Sequence, residues 1–200
     1  LHRELLLSAT WRQSSECDAS RAQADPQNRL LSHMNRRRLE FESWRDAMLA
    51  ASGVLDLRSG GPSADVDDPQ NRRRTIYATV HRRDMSTTLS IHDFPDPTQH
   101  SPIRSATTTS LQGLYALNGP LLTQQSDALV TRLNNERGFD DHARIERAYW
   151  LLYSRAPTQR EVDLGLSFLG GASGQTGNRD ATWQQYAHVL LASNELLYVE

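Results

Sequence analysis

The feature that most constrains the fold is a set of three capping-box sequences, each followed by apolar residues at helical spacing. In a capping box, the N-cap hydroxyl and the side chain three residues later satisfy backbone amides that a helix start leaves unpaired. Because this pattern is specific for helix starts, the sequence predicts a helix after each box. The boxes are Thr109–Gln112, Thr158–Glu161 and Thr182–Gln185.

Helical periodicity predicts further helices elsewhere in the chain. Residues 2–13 form one, and a second is expected to run from an N-cap at Asn35 to a C-terminal Gly53. Pro120 suits the first turn of another. The expected buried faces are Phe41, Trp44, Met48 and Ala51 in the second helix, Ile145, Ala148, Tyr149 and Leu152 in the segment ARIERAYWLLY, and Trp183, Ala187, Leu190 and Asn194 in the last helix.

The apolar period changes in the segment TIYATVH, residues 75–81. Ile76, Ala78 and Val80 alternate with other side chains, which is typical of a half-buried strand, and TTLSIHDF is its expected hairpin partner. The predicted fold is therefore mainly α, a multi-helix bundle or array with a small β-hairpin insertion around residues 75–92.

The length of 200 residues suits one domain with a substantial core. We predict a single helical domain over residues 1–200, with flexible linkers near residues 14–28, 56–72 and 170–180, where polar residues, glycine and proline concentrate. Because Leu1 already lies within a helical pattern, the chain is expected to be a fragment of a longer domain.

Charge and composition exclude several classes of protein. The net charge of −2 argues against nucleic-acid binding, despite the arginine runs at residues 36–38, 72–74 and 82–83. No apolar run reaches the ~18 residues that a membrane helix needs, so no membrane insertion is expected. Cys17 is the single cysteine, which excludes an internal disulfide or a cysteine-pair zinc site.

The stretch DFPDPTQHSPIRSATTTS, residues 93–110, contains most of the candidate site residues. Asp93, Asp96, His92 and His100 are of the types that bind metals, but their spacing matches no defined metal motif, and aspartate before proline is an ordinary turn former. No metal is therefore predicted, and His92 and His100 stay weak candidates.

The threonine run at residues 107–109 has two interpretations. Thr107, Thr108 and Thr109 precede the helix that contains Gln112, and a helix N-terminus attracts anions, to which nearby Arg104 would add charge. Alternatively, Thr109 caps the helix and its neighbours fill a turn. If an acid of the chain occupies this helix start, Asp93 or Asp96 is expected there.

A ladder of opposite charges is predicted in the second helix, where Arg38, Glu42, Arg45 and Asp46 lie three or four residues apart. Such ladders are usually solvated, but a buried one would fix neighbouring loops through arginine hydrogen bonds. We hypothesise that Asp93 and Asp96 pair with arginines of this helix, and that Arg104 and the threonines pin the β insertion to the helices. No known catalytic motif occurs, so no catalytic residue is predicted.

Several blocks of the sequence together resemble one family. In chain order they are LHRELLLSATWRQSS, ADPQNRLLSHMNRRRLEFESWRDAMLAASGVLD, RRTIYATVHRR, DFPDPTQHSPIRSATTTSLQGLYALNGP and LLASNELLYVE. They look like successive blocks of the planctomycete PSD-type domain of unknown function, which closes large surface proteins that often begin with a c-type cytochrome domain. The matching positions are Arg37, Arg38, Leu39, Glu42, Arg45, Asp46, Asp93, Asp96, Arg104, Thr107, Thr108, Gln112 and Asn118.

The resemblance implies an extracytoplasmic location, at the periplasm or cell surface. It also implies partners among the other domains of the parent protein, and a link to glycans or a sulfatase-like protein. Many relatives carry a cysteine near the QHS sequence, where this chain has His100 and Ser101, and this departure argues against an essential thiol there. A c-type haem would belong to a separate domain, and no cofactor is expected in this chain.

Two functions are predicted in order of preference. The first is a non-catalytic helical binding or scaffolding domain of an exported multidomain protein, which the missing catalytic motifs and the many capped helices favour. The alternative is an enzyme, or an enzyme subunit, that acts on glycans, including sulfated ones. A cleft that collects Asp93, Asp96, His100 and the arginine ladder would favour the alternative.

Overall fold

The computed structural model describes residues 1–136, 138, 140–176 and 179–199. The chain forms two compact units, one made of Leu1–Arg38 with the segment that begins at Tyr198, and the other made of Leu39–Leu197. The single domain predicted over residues 1–200 stays a prediction. Among the described residues, no helix combines the length and the apolar character needed to cross a membrane.

The first unit contains two short helices and a small sheet. Helix α1 spans His2–Leu7, and α2 spans Ala19–Ala24 with an N-cap at Asp18, whose carboxylate accepts a hydrogen bond from the backbone amide of Arg21 at 2.9 Å. Strands β1 (Arg37–Arg38) and β2 (Tyr198–Val199) pair antiparallel, with Arg37 opposite Val199 and Arg38 opposite Tyr198.

The second unit consists of helices and irregular segments. Its helices are α3 (Phe41–Ala51), a 3₁₀ turn (Thr75–Tyr77), α4 (Thr87–Ile91), α5 (Ser110–Asn118), α6 (Pro120–Asn135), α7 (Asp141–Tyr153), α8 (Gln159–Thr176), α9 (Arg179–Leu191) and α10 (Asn194–Leu197). The predicted class, mainly α with a small antiparallel β element, is confirmed.

The core of the second unit lies where α6 and α8 pack against α9, with α3 and α7 completing it. Met48, Leu122, Leu129 and Ile145 are fully buried there. The predicted buried faces of α3 and α7 are confirmed at all eight positions. In the last helix, Trp183, Ala187 and Leu190 are buried, whereas Asn194 begins α10 instead of continuing α9.

Two of the three predicted capping boxes form. Thr109 caps α5 and Thr158 caps α8, each with reciprocal bonds to the residue three positions later. The third prediction is wrong, because α9 begins at Arg179 and Thr182 lies inside it, 2% exposed. The predicted positions of Gly53, with φ of +80° just after α3, and of Pro120, in the first turn of α6, are confirmed.

The β-hairpin predicted around residues 75–92 is wrong in its position, since the sheet joins β1 to β2. Residues 75–77 form a 3₁₀ turn in which Thr75 is buried and Ile76 is 73% exposed, the reverse of the strand expectation. Thr75 faces inward because its amide and hydroxyl both donate to Asp46 at 2.7 Å. The expected partner strand is helix α4, whose N-cap Ser86 accepts from the amide of Leu89.

The second predicted helix is shorter than expected at its N-terminus. It begins at Phe41, because residues 37–38 are used in the sheet and the Asn35 side-chain oxygen accepts a hydrogen bond from Asn28 instead of capping a helix. Arg38 therefore lies in β1 and not on α3. Helix α1 likewise ends at Leu7 rather than at residue 13.

The segments predicted as linkers differ in their structure. Residues 19–24 of the first one form α2, residues 56–72 contain no helix or strand, and α8 continues to Thr176 in the third. Residues 177 and 178 of the third linker lie outside the described part of the chain. Whether these segments act as flexible linkers stays a prediction.

Candidate functional site

The start of α5 is tied to the end of α4 by a carboxylate and an amide side chain. Asp93, which adopts φ of +60°, accepts hydrogen bonds from the backbone amide and the hydroxyl of Thr107, both at 2.8 Å. The side-chain amide of Gln112 donates to Asp93 at 3.1 Å and to the Ile91 carbonyl at 2.9 Å, and Gln112 is 4% exposed. These bonds hold the two helices and the loop between them in one arrangement.

The last residue of the threonine run, Thr109, is the N-cap of α5. The hydroxyl of Thr109 accepts from the Gln112 backbone amide, and the Gln112 side-chain oxygen accepts from the Thr109 amide, both at 3.3 Å. Thr108 is exposed. Of the two acids considered for this helix start, Asp93 lies there, through its bonds to Thr107 and Gln112. The arrangement matches the structural interpretation, with an acid of the chain at the helix start.

Asp96 has a local role in its own turn. Its carboxylate accepts hydrogen bonds from the hydroxyl and the backbone amide of Thr98, at 2.7 and 2.8 Å, and one from the Gln99 side chain. The hydrogen bond from the Thr98 hydroxyl is the main cause that lowers the pKa of Asp96. The carboxylate therefore stabilises the turn after Pro95.

Arg104 connects the loop to α3. Its guanidinium forms a bidentate pair with the Glu42 carboxylate, at 2.8 and 2.9 Å, and reaches Glu40 at 3.1 Å. It also lies 5.2 Å from the ring centroid of Phe94. Its charge is thus paired with Glu42 in the first turn of α3 and with the N-cap residue Glu40, so the loop is held against the start of that helix.

The pair of Arg104 and Glu42 allows a direct test of this connection. We expect a double-mutant cycle with Arg104→Ala and Glu42→Ala to give a coupling of about 1 kcal/mol, because the pair is bidentate and only partly exposed. Urea unfolding of the four proteins measures it. A matched cycle of Arg104→Ala with Asp96→Ala, in the same loop, is expected to be additive. Additivity of the first cycle would contradict the pairing.

Arg45 and Asp46 fix the segment before the 3₁₀ turn. The buried guanidinium of Arg45 donates to the carbonyl oxygens of Asn71 and Arg73 and to the Thr75 hydroxyl. Burial lowers the pKa of Arg45 from its ordinary value, and the charge of Asp46 opposes that shift. Arg45 is therefore a buried member of the charge ladder and Asp46 a partly buried one, and together they fix residues 71–75.

The hypothesised pairing of the loop acids with arginines of α3 is wrong for Arg45. Its guanidinium bonds to residues 71–75, whereas Asp93 bonds to Thr107 and Gln112, and Asp96 bonds within its own turn. The cross-connection between α3 and this loop has the opposite polarity, with the arginine in the loop and the acid in the helix. Sequence alone could not decide between a loop acid paired with a helix arginine and a loop arginine paired with a helix acid, because both kinds of residue occur in both segments.

The two histidines have different surroundings. His92 is 7% exposed, with its ring 4.5 Å from that of Phe41 and 4.7 Å from that of Tyr115 by centroid, and its Nδ1 lies 2.8 Å from the Thr88 carbonyl oxygen. His100 is exposed. In the described part of the chain, no group of three or more His, Cys, Asp or Glu side chains is arranged to bind a metal ion.

Sequence reasoning missed a second polar cluster, at the junction of α7, α8 and α10. Arg155 donates to Glu161 at 2.7 and 2.9 Å and to Glu195 at 2.6 and 2.8 Å, with its guanidinium carbon 5.3 Å from the ring centroid of Tyr149. The bond to Arg155, assisted by Thr158, lowers the pKa of Glu161 to about 2. The capping box predicted a structural role for Glu161, but no local sequence pattern predicted its pairing with Arg155.

This cluster predicts a specific pH dependence. Because the pKa of Glu161 is lowered from 4.5 to about 2, its contribution to stability is fully present above its unfolded pKa and is lost as the pH falls through about 2. The destabilisation caused by Glu161→Gln is therefore expected to shrink between about pH 5 and pH 2. Thermal unfolding of both proteins across this range measures it. A difference that stays constant would contradict the assigned pairing.

Among the described residues of the second unit, surface clefts of a size that suits ligands include the following pair. The larger, about 850 Å³, lies between the end of α3, residues 69–72 and one face of α6, and its lining includes Gln70, Arg72, Gln124, Asp127, Arg132 and Asn135. The smaller, about 400 Å³, is lined in part by Glu42, Asp46 and Phe94. Asp93, Asp96 and His100 are not among the residues that line the smaller cleft.

These features define a mainly helical domain whose candidate polar residues are hydrogen-bonded to one another or to the backbone. The chain belongs to the PSD1 family, described as a protein of unknown function (DUF1553), whose model matches residues 1–169. This finding confirms the domain of unknown function that the sequence blocks resemble. No curated protein and no solved structure matches the chain.

Proposed function

We propose that this chain is a non-catalytic binding or scaffolding domain of a larger exported protein. The observation that carries the proposal is the use of the candidate site residues in joining chain segments. Arg45, Asp46, Asp93 and Arg104 each bond a helix or turn to a segment distant in sequence. Groups held in this way stabilise one arrangement of loops, which suits a domain that presents a fixed surface.

The larger cleft is the surface that we propose for binding. Its volume of about 850 Å³ lies in the range typical of ligand sites, and its lining combines amides, hydroxyls and charged groups. Arg72 is exposed, and Asn135 ends α6; among the described residues, neither side chain has a hydrogen-bond partner. These groups suit a hydroxyl-rich ligand such as a glycan, and Arg72 would suit a sulfated one.

The proposed setting follows from the family resemblance. We propose an extracytoplasmic location, contacts with other domains of the parent protein or with a sulfatase-like protein, and a c-type haem only in a separate domain. The alternative function, an enzyme acting on glycans, rests on the carboxylates of Glu42 and Asp46 in the smaller cleft. Both are engaged, Glu42 by Arg104 and Asp46 by Thr75, which favours binding over catalysis.

Binding to the larger cleft is testable with a charged glycan. We expect chondroitin sulfate to bind the chain in calorimetry, and Arg72→Ala with Asn135→Ala to weaken binding about tenfold through the loss of two polar contacts. Arg83→Ala removes an exposed arginine outside the cleft and is expected to leave binding unchanged. Equal affinity of the unmodified chain and both variants, or no binding at all, would contradict the proposal. Release of new reducing ends from chondroitin sulfate would show cleavage and would favour the alternative function, an enzyme acting on glycans.

A further inference from the structure

A third cavity, of about 200 Å³, lies beside the buried guanidinium of Arg45 in the second unit. This volume far exceeds what a single water molecule requires. The polar residues that line it include Arg45, Asp67, Thr88, Tyr115 and Gln125. It adjoins the larger cleft, with which it shares Pro69, Gln124 and Gln125, but neither Arg72 nor Asn135 is among its lining residues.

Arg45 retains two N–H donors, one at Nη2 and one at Nε, that the described residues do not use. Its two terminal nitrogens are bonded to residues 71–75, but its Nε is buried and has no acceptor among the described residues. The side chain is 1% exposed, so bulk water does not solvate this N–H group. A buried charged donor without an acceptor is unfavourable, and an acceptor in the adjoining cavity would relieve it.

The charge of Arg45 is only partly compensated within the protein. The nearest carboxylate, that of Asp46, lies 4.0 Å from Nη1 of Arg45 and 3.6 Å from Nε of Arg74, so one acid is shared by two guanidinium groups. The inner end of the cavity therefore favours an anionic group. Gln125 adds a further donor, because its oxygen accepts from Ser52 at 2.6 Å while its amide nitrogen has no acceptor in the described part of the chain.

The cavity also has two acidic residues, whose charge is opposite to that of Arg45. Asp67 and Asp68 are exposed and line the same cavity, and they favour a cation toward solvent. We propose that this cavity binds a small zwitterion of amino-acid size, with its carboxylate at Arg45 and its ammonium group toward Asp67. Thr88 and Tyr115 supply hydroxyl groups along the wall, and Val66, Pro120 and Leu121 contact the carbon skeleton.

The test uses the full chain and two probes, glycine and acetate. In a nitrogen–proton NMR spectrum of the arginine side chains, glycine is expected to shift the Nε–H resonance of Arg45 saturably. Acetate is expected to bind about two- to fivefold more weakly, because it has no ammonium group for Asp67. Arg144 is an internal control, since its Nε is also buried without an acceptor among the described residues but does not line this cavity.

Matched variants complete the experiment. Asp67→Asn is expected to weaken glycine binding about two- to fivefold, whereas Asp84→Asn, the same charge change outside the cavity, is expected to leave it unchanged. The combined Arg72→Ala and Asn135→Ala variant is expected to retain glycine binding, so failure of the cleft proposal leaves this result unaffected. No shift at Arg45, an equal shift at Arg144, or equal affinity for glycine and acetate would overturn the proposal.

Discussion

Arg45→Ala is expected to lower the free energy of unfolding by about 3–5 kcal/mol, the largest effect of any single substitution considered for this protein. The substitution removes the donors that hold the carbonyl groups of Asn71 and Arg73 and the Thr75 hydroxyl. It also removes a buried positive charge that lies close to the Asp46 carboxylate. The shorter side chain leaves a cavity in the core. Urea unfolding followed by circular dichroism measures the change.

The control for Arg45 is an arginine with carboxylate contacts but no burial. The side chain of Arg58 donates three hydrogen bonds to the Asp56 carboxylate, yet it is 86% exposed. Arg58→Ala is expected to leave the unfolding midpoint unchanged, because exposed ion pairs contribute little. If both substitutions destabilised the protein equally, burial would not be the reason for the importance of Arg45.

Gly165→Ala is expected to destabilise the protein by about 1–3 kcal/mol, although alanine favours helix. A Cβ atom at this position would lie 2.7 Å from the Tyr186 hydroxyl oxygen and 2.9 Å from Cδ1 of Ile145. Both neighbours are buried side chains, on α9 and α7, so they have little room to move. Glycine at this position therefore allows α8 to approach the other two helices closely.

Gly170 in the same helix is the matched control for Gly165. A Cβ atom there would meet no atom within 4 Å, so Gly170→Ala is expected to stabilise the protein by about 0.5–1 kcal/mol through helix propensity alone. Urea unfolding of both variants gives the comparison. A gain in stability at Gly165 equal to that at Gly170 would show that the close approach of α8 is absent in solution.

The two predictions concern different kinds of order in the second unit. Arg45 holds an irregular segment, residues 71–74, and the first residue of the 3₁₀ turn, Thr75. Gly165 determines how closely regular elements pack. The loss of unfolding free energy is expected to be larger for Arg45→Ala, because that substitution leaves both unsatisfied polar groups and a cavity. The methyl group that Gly165→Ala adds can be accommodated in part by small shifts of its neighbours.

Local sequence determined where α5 and α8 begin and which faces α3 and α7 bury. Thr109 and Thr158 cap helices because a hydroxyl and a side chain three residues away are enough to satisfy the first amides, whatever the rest of the chain does. The buried positions of α3 and α7 follow in the same way from the helical period. Each of these features depends on residues within about three turns of one another, and a short window contains all of them.

Only the tertiary structure decided how the polar residues pair. Thr75 faces inward because it bonds to Asp46, 29 positions away, and Arg104 selects Glu42 at a separation of 62. Thr182 is a buried helical residue because α9 starts earlier and packs against α6. Alternation and charge spacing in a window are compatible with several partners, and the choice is made by the burial and geometry of groups that only the folded chain brings together.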